Sequence, residues 1–441
     1  MGEVIVIGAG LAGSEAAWQI AERGQRAILC EMRPGTVTPA HQTGDFAELV
    51  CSNSLGSDLP DRAPGLLKAE LRRLNSIILA CAERCTVPAG GALAVDRDAF
   101  ARAVTTQVSA HPFIEVRREE VAVVPRDRPV VVASGPLTSD RLAEDIAALT
   151  GSERLHFFDA MAPILSVNSV DDTKVFRANR WGRGSEDYIN CPMTHEEYDR
   201  FVDALLAAER IPLRNFERLD QRFFEACLPV EVIASRGRQA LAFGPLRPVG
   251  LTDPRTGKRP WGVVQLRQDN LAGTLYNLVG FQTNLRWPEQ ERVFRLIPGL
   301  EHAEFVRFGQ MHRNTFINSP TLLEPTMQLR GYEGLYFAGQ LVGTEGYMGS
   351  AASGLVAGIN AARAVRGQAP LVYPPETMVG ALCRYVSSPE VADFQPMKPN
   401  FGLLPPLEVS AQPVRKRDIH GAMAARARAA LDVFLTSDSG G

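Results

Sequence analysis

Residues 4–13 read Val4-Ile5-Val6-Ile7-Gly8-Ala9-Gly10-Leu11-Ala12-Gly13, an apolar β-type run that ends in glycines and passes directly into Ser14-Glu15-Ala16-Ala17-Trp18-Gln19-Ile20. A strand, a glycine turn and a helix start follow one another without a spare residue. In this arrangement the first glycine permits the tight turn, the second lets backbone approach a pyrophosphate, and the third lets helix and strand pack closely, with the helix N-terminus facing the anion. The pattern also calls for an acid roughly 20 positions on, at the end of a second strand, to accept ribose hydroxyls. Arg26-Ala27-Ile28-Leu29-Cys30-Glu31 supplies both strand and acid. Gly8, Ala9, Gly10, Leu11, Ala12 and Gly13, with Glu31 and its neighbour Met32, predict a dinucleotide cradle.

Composition sets the wider frame. At 441 residues with 45% hydrophobic content the chain is long for one core, so more than one folded unit is expected. No apolar run approaches the roughly 18 residues of a membrane span, and the cradle strand stands where a secretion leader would be. A cytoplasmic protein with no membrane association is expected. Seven cysteines, an odd number in a long chain, read as thiols rather than as a disulfide framework. Cys81 and Cys85 lie one helical turn apart, but no second Cys or His pair follows at ligand spacing, so no metal site is expected. A net charge of −3 gives no overall pull toward nucleic acid, and any such contact must be a local patch.

Beyond the cradle, Leu49–Asp58 crowds small polar residues around Cys51, in the kind of loop where ligands are handled. A buried structural thiol before an Asn/Ser turn fits that stretch equally well. Ala63–Arg84 reads as one helix by its apolar spacing, Asp98–Ala110 as another, Ile114–Val124 as alternating strands and Pro129–Pro136 as a buried strand ending in a glycine turn. These features assign residues 1–150 to the first part of a nucleotide-binding domain. From 151 to 324 aromatics, Asn and Arg increase, and regular alternation gives way to short strands, loops and one helix, Thr194–Glu209. Within that segment Arg177, Arg180, Arg183 and Trp181 suit phosphate contacts and base stacking, or equally a solvated face with one packed aromatic. Cys227 sits in a second thiol stretch, and His312, Arg313 and Asn314 in a run too polar for a core.

A second strand-to-glycine unit follows at Gly334–Gly339, with Gln340, and then Glu345-Gly346-Tyr347-Met348-Gly349-Ser350 opens a helix of small residues. Its backbone N–H groups and dipole can receive a second anion or a flavin edge, which an NAD-only dehydrogenase does not need. FAD bound between the chain's two ends is therefore expected, with residues 325–441 completing the domain and ending in a helix, Asp418–Leu435, entered by Arg415-Lys416-Arg417. The expected class is α/β: a Rossmann-like FAD-binding domain of the two-dinucleotide flavoprotein type carrying an inserted α+β domain.

Taken together, Gly8–Gly13, Leu49–Asp58, Val87–Arg97, Val131–Pro136, Asp187–Met193, Phe224–Glu231, His312–Pro320 and Gly339–Gly354 closely resemble the bacterial folate- and FAD-dependent tRNA (uracil-5-)-methyltransferases. These are relatives of the larger wobble-uridine-modifying flavoprotein. The glycine fingerprint is generic, whereas the two thiol stretches and His312-Arg313-Asn314-Thr315-Phe316 are specific. One position departs: Gly56 stands where a larger, often basic, residue is usual. After residue 364 there is no room for the wobble enzyme's long helical domain, and the paired redox cysteines of thiol oxidoreductases are missing around Cys51. A catalytically silent flavoprotein would explain the cradle but not the thiol stretches.

The resemblance implies methyl transfer without S-adenosylmethionine. 5,10-Methylenetetrahydrofolate would give its one-carbon unit, by way of flavin N5, to C5 of the T-loop uridine of tRNA (position 54), with electrons from NADH or NADPH through FAD. Carbon 5 of uracil becomes nucleophilic only after addition at C6, which calls for a thiolate. By the resemblance Cys51 and Cys227 both belong to the active site. Cys51 is assigned to uracil and Cys227 to the flavin intermediate, and swapped roles fit the same residues. His312, Arg313, Asn314, Arg177, Arg180, Arg183, Arg415, Lys416 and Arg417 are the candidates for folate and tRNA contacts. Without a second glycine fingerprint, reductant, folate and RNA are expected to use one open flavin face in turn, with no obligate protein partner.

Overall fold

A computed structural model describes residues 2–438 except 39, 152–154, 183–185, 212–227, 392–393 and 408–415. The strand Glu3–Ile7 lies at the middle of a five-stranded parallel sheet. Arg26–Cys30 and then Ile114–Arg117 flank it on one side, Val130–Val132 and then Leu335–Phe337 on the other. Chain order therefore reverses at the central strand, and in such sheets the ligand crevice opens at the carboxyl ends of the strands beside that switch. The expected α/β FAD-binding class is the one observed.

Two helices bury the sheet's hydrophobic face from one side, Leu11–Glu22 and the long Tyr347–Val365, nearly all of whose residues are buried. They cross at backbone contact. A Cβ on Gly354 would stand 2.2 Å from the carbonyl oxygen of Ala12, and one on Gly358 2.6 Å from that of Ala16, so only glycine permits this approach. The crossing brings the first turns of both helices to the same end of the sheet.

Apolar residues 4–149 and 316–431 share this first core, and residues 162–303 build a second. The second unit carries a six-stranded antiparallel sheet in the order Phe176–Arg177, Ile189–Met193, Gly262–Gln268, Leu275–Leu278, Ile164–Ser166, Phe305–Arg307. The chain leaves and returns through one antiparallel pair, Leu155–Ala160 with Met311–Phe316. Phe316, Ile317 and Leu323 already pack in the first core, ahead of residue 324.

Some local expectations are corrected. Ala63–Arg84 is two helices, Ala63–Arg73 and Ile77–Arg84, because Asn75 takes φ 56° and Ser76 caps the second by accepting from Leu79 N at 3.2 Å. Only Ile114–Arg117 of the Ile114–Val124 stretch is strand. Among the described residues the inserted unit holds not one helix but His195–Ala207, Val230–Ser235, Ala240–Phe243 and Trp287–Phe294. Among the described residues no helix is long and apolar enough to cross a membrane.

Candidate functional site

A cleft of about 340 Å³ opens at the carboxyl end of the central strand. Gly8, Gly10, Leu11, Ala12, Glu31, Met32, Cys51, Gly339, Gln340, Glu345, Gly346, Tyr347, Gly349 and Ser350 all line it. The glycines act as their spacing requires. Gly8 has φ 96°, and a Cβ there would meet the Ala133 carbonyl oxygen at 2.7 Å; one on Gly13 would meet the Gly8 oxygen at 1.7 Å. A Cβ on Gly10, by contrast, has no protein atom within 4 Å and would enter the cleft. The helix that follows has no side-chain cap, so its first N–H groups are left for a ligand anion. This cradle fits the pyrophosphate of a dinucleotide.

Glu31 closes one wall. Its Oε2 accepts from Ala9 N at 2.8 Å, tying the acid to the glycine turn, while Oε1 accepts from Arg33 N at 3.0 Å and Arg33 Nε at 2.9 Å. Burial works against the ionised form, but the hydrogen bond and charge of Arg33 outweigh it and hold the carboxyl below its ordinary value. Oε1 is filled by the two Arg33 donors, and Oε2 keeps a lone pair for a ribose hydroxyl. Arg33 in turn contacts Glu48 at 3.3 Å.

The Cys51 loop is fixed residue by residue from both units. Arg97 Nη1 donates to Leu49 O at 2.8 Å and Arg307 Nη2 to Val50 O at 3.4 Å. Tyr347 Oη accepts from Cys51 N at 2.9 Å and from Ser52 N at 3.1 Å. Asn53 donates to Val95 O at 3.0 Å and Gln268 O at 2.8 Å, and its Oδ1 accepts from Arg267 Nε at 3.0 Å and Asn277 Nδ2 at 3.1 Å. Burial pushes the Tyr347 phenol well up, so it stays protonated at neutral pH. Burial also lowers Arg307, helped by the like charge of Arg97. Cys51 itself is half-buried on the cleft wall.

The second glycine turn is held by small polar groups. Thr344 Oγ1 donates to Gly339 O at 2.8 Å, Gly339 N donates to Ser353 Oγ at 2.9 Å, and Gln340 Nε2 to Glu345 Oε2 at 2.9 Å. Residue 56 takes φ 81°, which suits the glycine found there, and buried Lys68 donates to the carbonyls of Leu55 at 2.9 Å and Ser57 at 2.8 Å beside it.

The remaining expected residues do not all converge on the cleft. Arg177 is exposed and leans on Tyr276, with its guanidinium carbon 5.9 Å from the ring centre. Arg180 is half-buried, with Nε on Gln265 Oε1 at 2.9 Å and Nη1 on the Val249 and Arg247 carbonyls, so it ties two loops together. His312, Arg313 and Asn314 lie on the strand paired in register with Asp159, Phe158 and Phe157. The side chains of Lys416 and Arg417, and the whole of Arg183, Cys227 and Arg415, lie outside the described residues. Cys81 and Cys85 are buried thiols, and no metal cluster occurs among the described residues.

Sequence reading missed several cleft residues. Arg33, Glu48, Leu137, Thr138, Ser139, Leu142 and Lys398 line the same space from distant segments. Arg33 stood two residues beyond Glu31 and could have been read as its partner; the others carried no local signal.

With this geometry in place, the chain can be compared with known proteins. The family model described as glucose inhibited division protein A matches residues 3–369. The methylenetetrahydrofolate–tRNA-(uracil-5-)-methyltransferase TrmFO of Desulforudis audaxviator is 59% identical over 441 residues, covering 100% of both chains. Its namesake in Geobacter sulfurreducens is 58% identical over 437 residues, covering 99% of each. The chain belongs to the TrmFO family. A solved structure of Aquifex aeolicus GidA has a TM-score of 0.70 at 17% identity, covering 98% of this chain and 73% of that one, and supports the fold alone. The family resemblance read from the sequence is thereby shown.

Proposed function

We propose that this chain is a folate-dependent tRNA (uracil-5-)-methyltransferase that uses FAD, takes carbon from 5,10-methylenetetrahydrofolate and methylates the T-loop uridine at position 54, with NADH or NADPH as electron donor. The observation that carries the reading is the convergence of the glycine turn, Glu31, Cys51 and the Gly339–Ser350 turn on one cleft, in a chain matching TrmFO enzymes over its whole length. FAD bound there would relay electrons from the nicotinamide to the transferred carbon.

The chain's own residues supply the rest. The open edge of Gly10 and the uncapped helix start hold the pyrophosphate, Glu31 the ribose, and the turn at Gly346–Ser350 the ring end. The Cys51 thiolate adds to C6 of the uracil, leaving C5 as the carbon nucleophile, and leaves when the C5 proton is lost. Cys227 is the second thiol of this reading. Reductant, folate and tRNA use the cleft in turn, and Arg177, Arg183, Arg415, Lys416 and Arg417, with His312, Arg313 and Asn314, are the proposed folate and RNA contacts.

The test is to incubate purified protein with methylenetetrahydrofolate, a nicotinamide donor and two tRNA transcripts, one with uridine and one with cytidine at position 54, and to locate methyl groups by mass spectrometry. Methylation at position 54 of the first transcript alone is expected. Equal methylation elsewhere in both would reject T-loop specificity.

A further inference from the structure

Trp181 is an aromatic side chain that this fold holds outward at a conformational cost. Its backbone sits at φ 65°, ψ 21°, in the left-handed region that side-chain-bearing residues avoid, and yet the residue is 64% exposed. Strain normally persists where surrounding bonds impose it, and here they do. Trp181 N donates to Gly250 O at 2.9 Å, and Arg180 Nη1 donates to the Val249 oxygen at 2.9 Å from the preceding residue. Phe176, Leu251 and Val263 form a small apolar cluster under the two segments. Gly250 has φ 86°, and a Cβ there would stand 2.8 Å from the indole, so glycine lets the ring lie against backbone. One edge of the ring is thus packed and the rest open.

The surroundings are cationic. Arg247 is exposed, Arg180 feels its charge, and Arg177, at the end of the strand that leads into the turn, is exposed as well. The nearby acid Asp187 is engaged: its Oδ2 accepts from Gly90 N at 2.6 Å and Asn179 Nδ2 at 3.2 Å. Those bonds also join the Trp181 loop to the first unit. Gly91 O accepts from Asp58 N at 2.9 Å and Ser57 Oγ at 3.3 Å, and Ser54, Leu55 and Gly56 of the same strand line the cleft. The indole therefore stands on the segment that flanks the cleft wall carrying Cys51.

We propose that Trp181 is a stacking platform for an unpaired base of the tRNA, with Arg247 taking a neighbouring phosphate. An indole face accepts any base, and an adjacent guanidinium neutralises the backbone of the strand that presents it. In a chain of net charge −3 such local pairing of aromatic and cation is what RNA binding requires. Arg180 is the positioning residue, acting through the loop it ties. The proposal rests on the tRNA reading above.

The experiment measures binding of a tRNA transcript to the full-length protein and its W181A, W181F and R247A variants as a function of salt, with tryptophan fluorescence followed alongside. Wild-type fluorescence is quenched on binding, and the quench is lost in W181F although most affinity remains, because phenylalanine still stacks. W181A weakens binding roughly 5- to 100-fold with an unchanged salt slope, whereas R247A lowers that slope by about one. Flavin content and thermal unfolding report whether each variant is folded. W181A binding as tightly as wild type, or W181F as weak as W181A, would overturn the platform alone. A wild-type protein that binds no tRNA would remove the reading above and the platform with it.

Discussion

Arg97 donates through Nε to both carboxylate oxygens of Asp269, at 3.2 and 3.0 Å, and so joins the two units behind the Cys51 loop. Both side chains are almost fully buried. Burial works against the guanidinium, but the charge and hydrogen bond of Asp269, together with further neighbours, outweigh it and hold Arg97 above its ordinary value. Removing one partner of such a pair strands the other charge, so D269A is expected to lower unfolding free energy by about 3–5 kcal/mol. The R97M/D269L double variant should be less destabilised than the sum of the single changes. A double-mutant cycle in urea checks this, and strict additivity would show that the pair does not couple the units.

The cradle predicts a separation of folding from flavin binding. Gly10 has φ −70° and ψ −169°, which alanine adopts freely, and its Cβ would meet no protein atom. G10A and G10V are therefore expected to fold yet purify without flavin. G13A should be unstable as well, since its Cβ would lie 1.7 Å from the Gly8 oxygen. Absorbance near the flavin bands and thermal unfolding of each variant distinguish the two effects; a yellow G10V protein would remove the cradle.

Replacing Cys51 by Ala should abolish methyl transfer while leaving flavin content and stability close to wild type. The thiol is only half-buried, and Tyr347 Oη holds the loop at the backbone N–H groups of Cys51 and Ser52, which the substitution leaves in place. Covalent capture of a 5-fluorouridine transcript identifies the attacking thiol. Capture that persists in C51A moves that role to Cys227.

Glu70 gives a pH signature. Its oxygens accept from Met378 N and Val379 N, both at 2.8 Å, and burial pushes the carboxyl up to about 8. The folded state then binds a proton that the unfolded state releases above pH 4.5. This contribution is fully present below that value and is lost as pH rises toward 8, with a slope of at most about 1.4 kcal/mol per pH unit. E70Q should flatten the decline in unfolding free energy between pH 5 and 8 measured in urea. An unchanged slope would place the origin of any decline elsewhere, for instance at Glu15, which burial also raises.

What the sequence disclosed was local. The strand, turn and helix of residues 3–22 and the acid at Glu31 are contiguous in chain and in space, and the Gly339–Ser350 turn repeats the same grammar. The break at Asn75 and Ser76 was also written locally, as an Asn that tolerates left-handed backbone before a capping Ser. The clamp on Cys51 was not legible. Asn53 meets Arg267 and Asn277, more than two hundred positions away, only because one face of the inserted sheet lies against the first unit. The contacts of Arg180 were hidden for a related reason: its Nη1 donates to carbonyls of a loop that only folding brings near.

The central claim, that the methyl carbon comes from folate at a flavin-bearing cleft, is tested most directly by isotope. Purified protein, a tRNA transcript and NADH or NADPH are incubated with methylenetetrahydrofolate labelled in its one-carbon unit, or instead with methyl-labelled S-adenosylmethionine. The account predicts label on C5 of the T-loop uridine from folate and none from S-adenosylmethionine. Label arriving from S-adenosylmethionine, or no transfer from folate by a protein that holds its flavin, would contradict it.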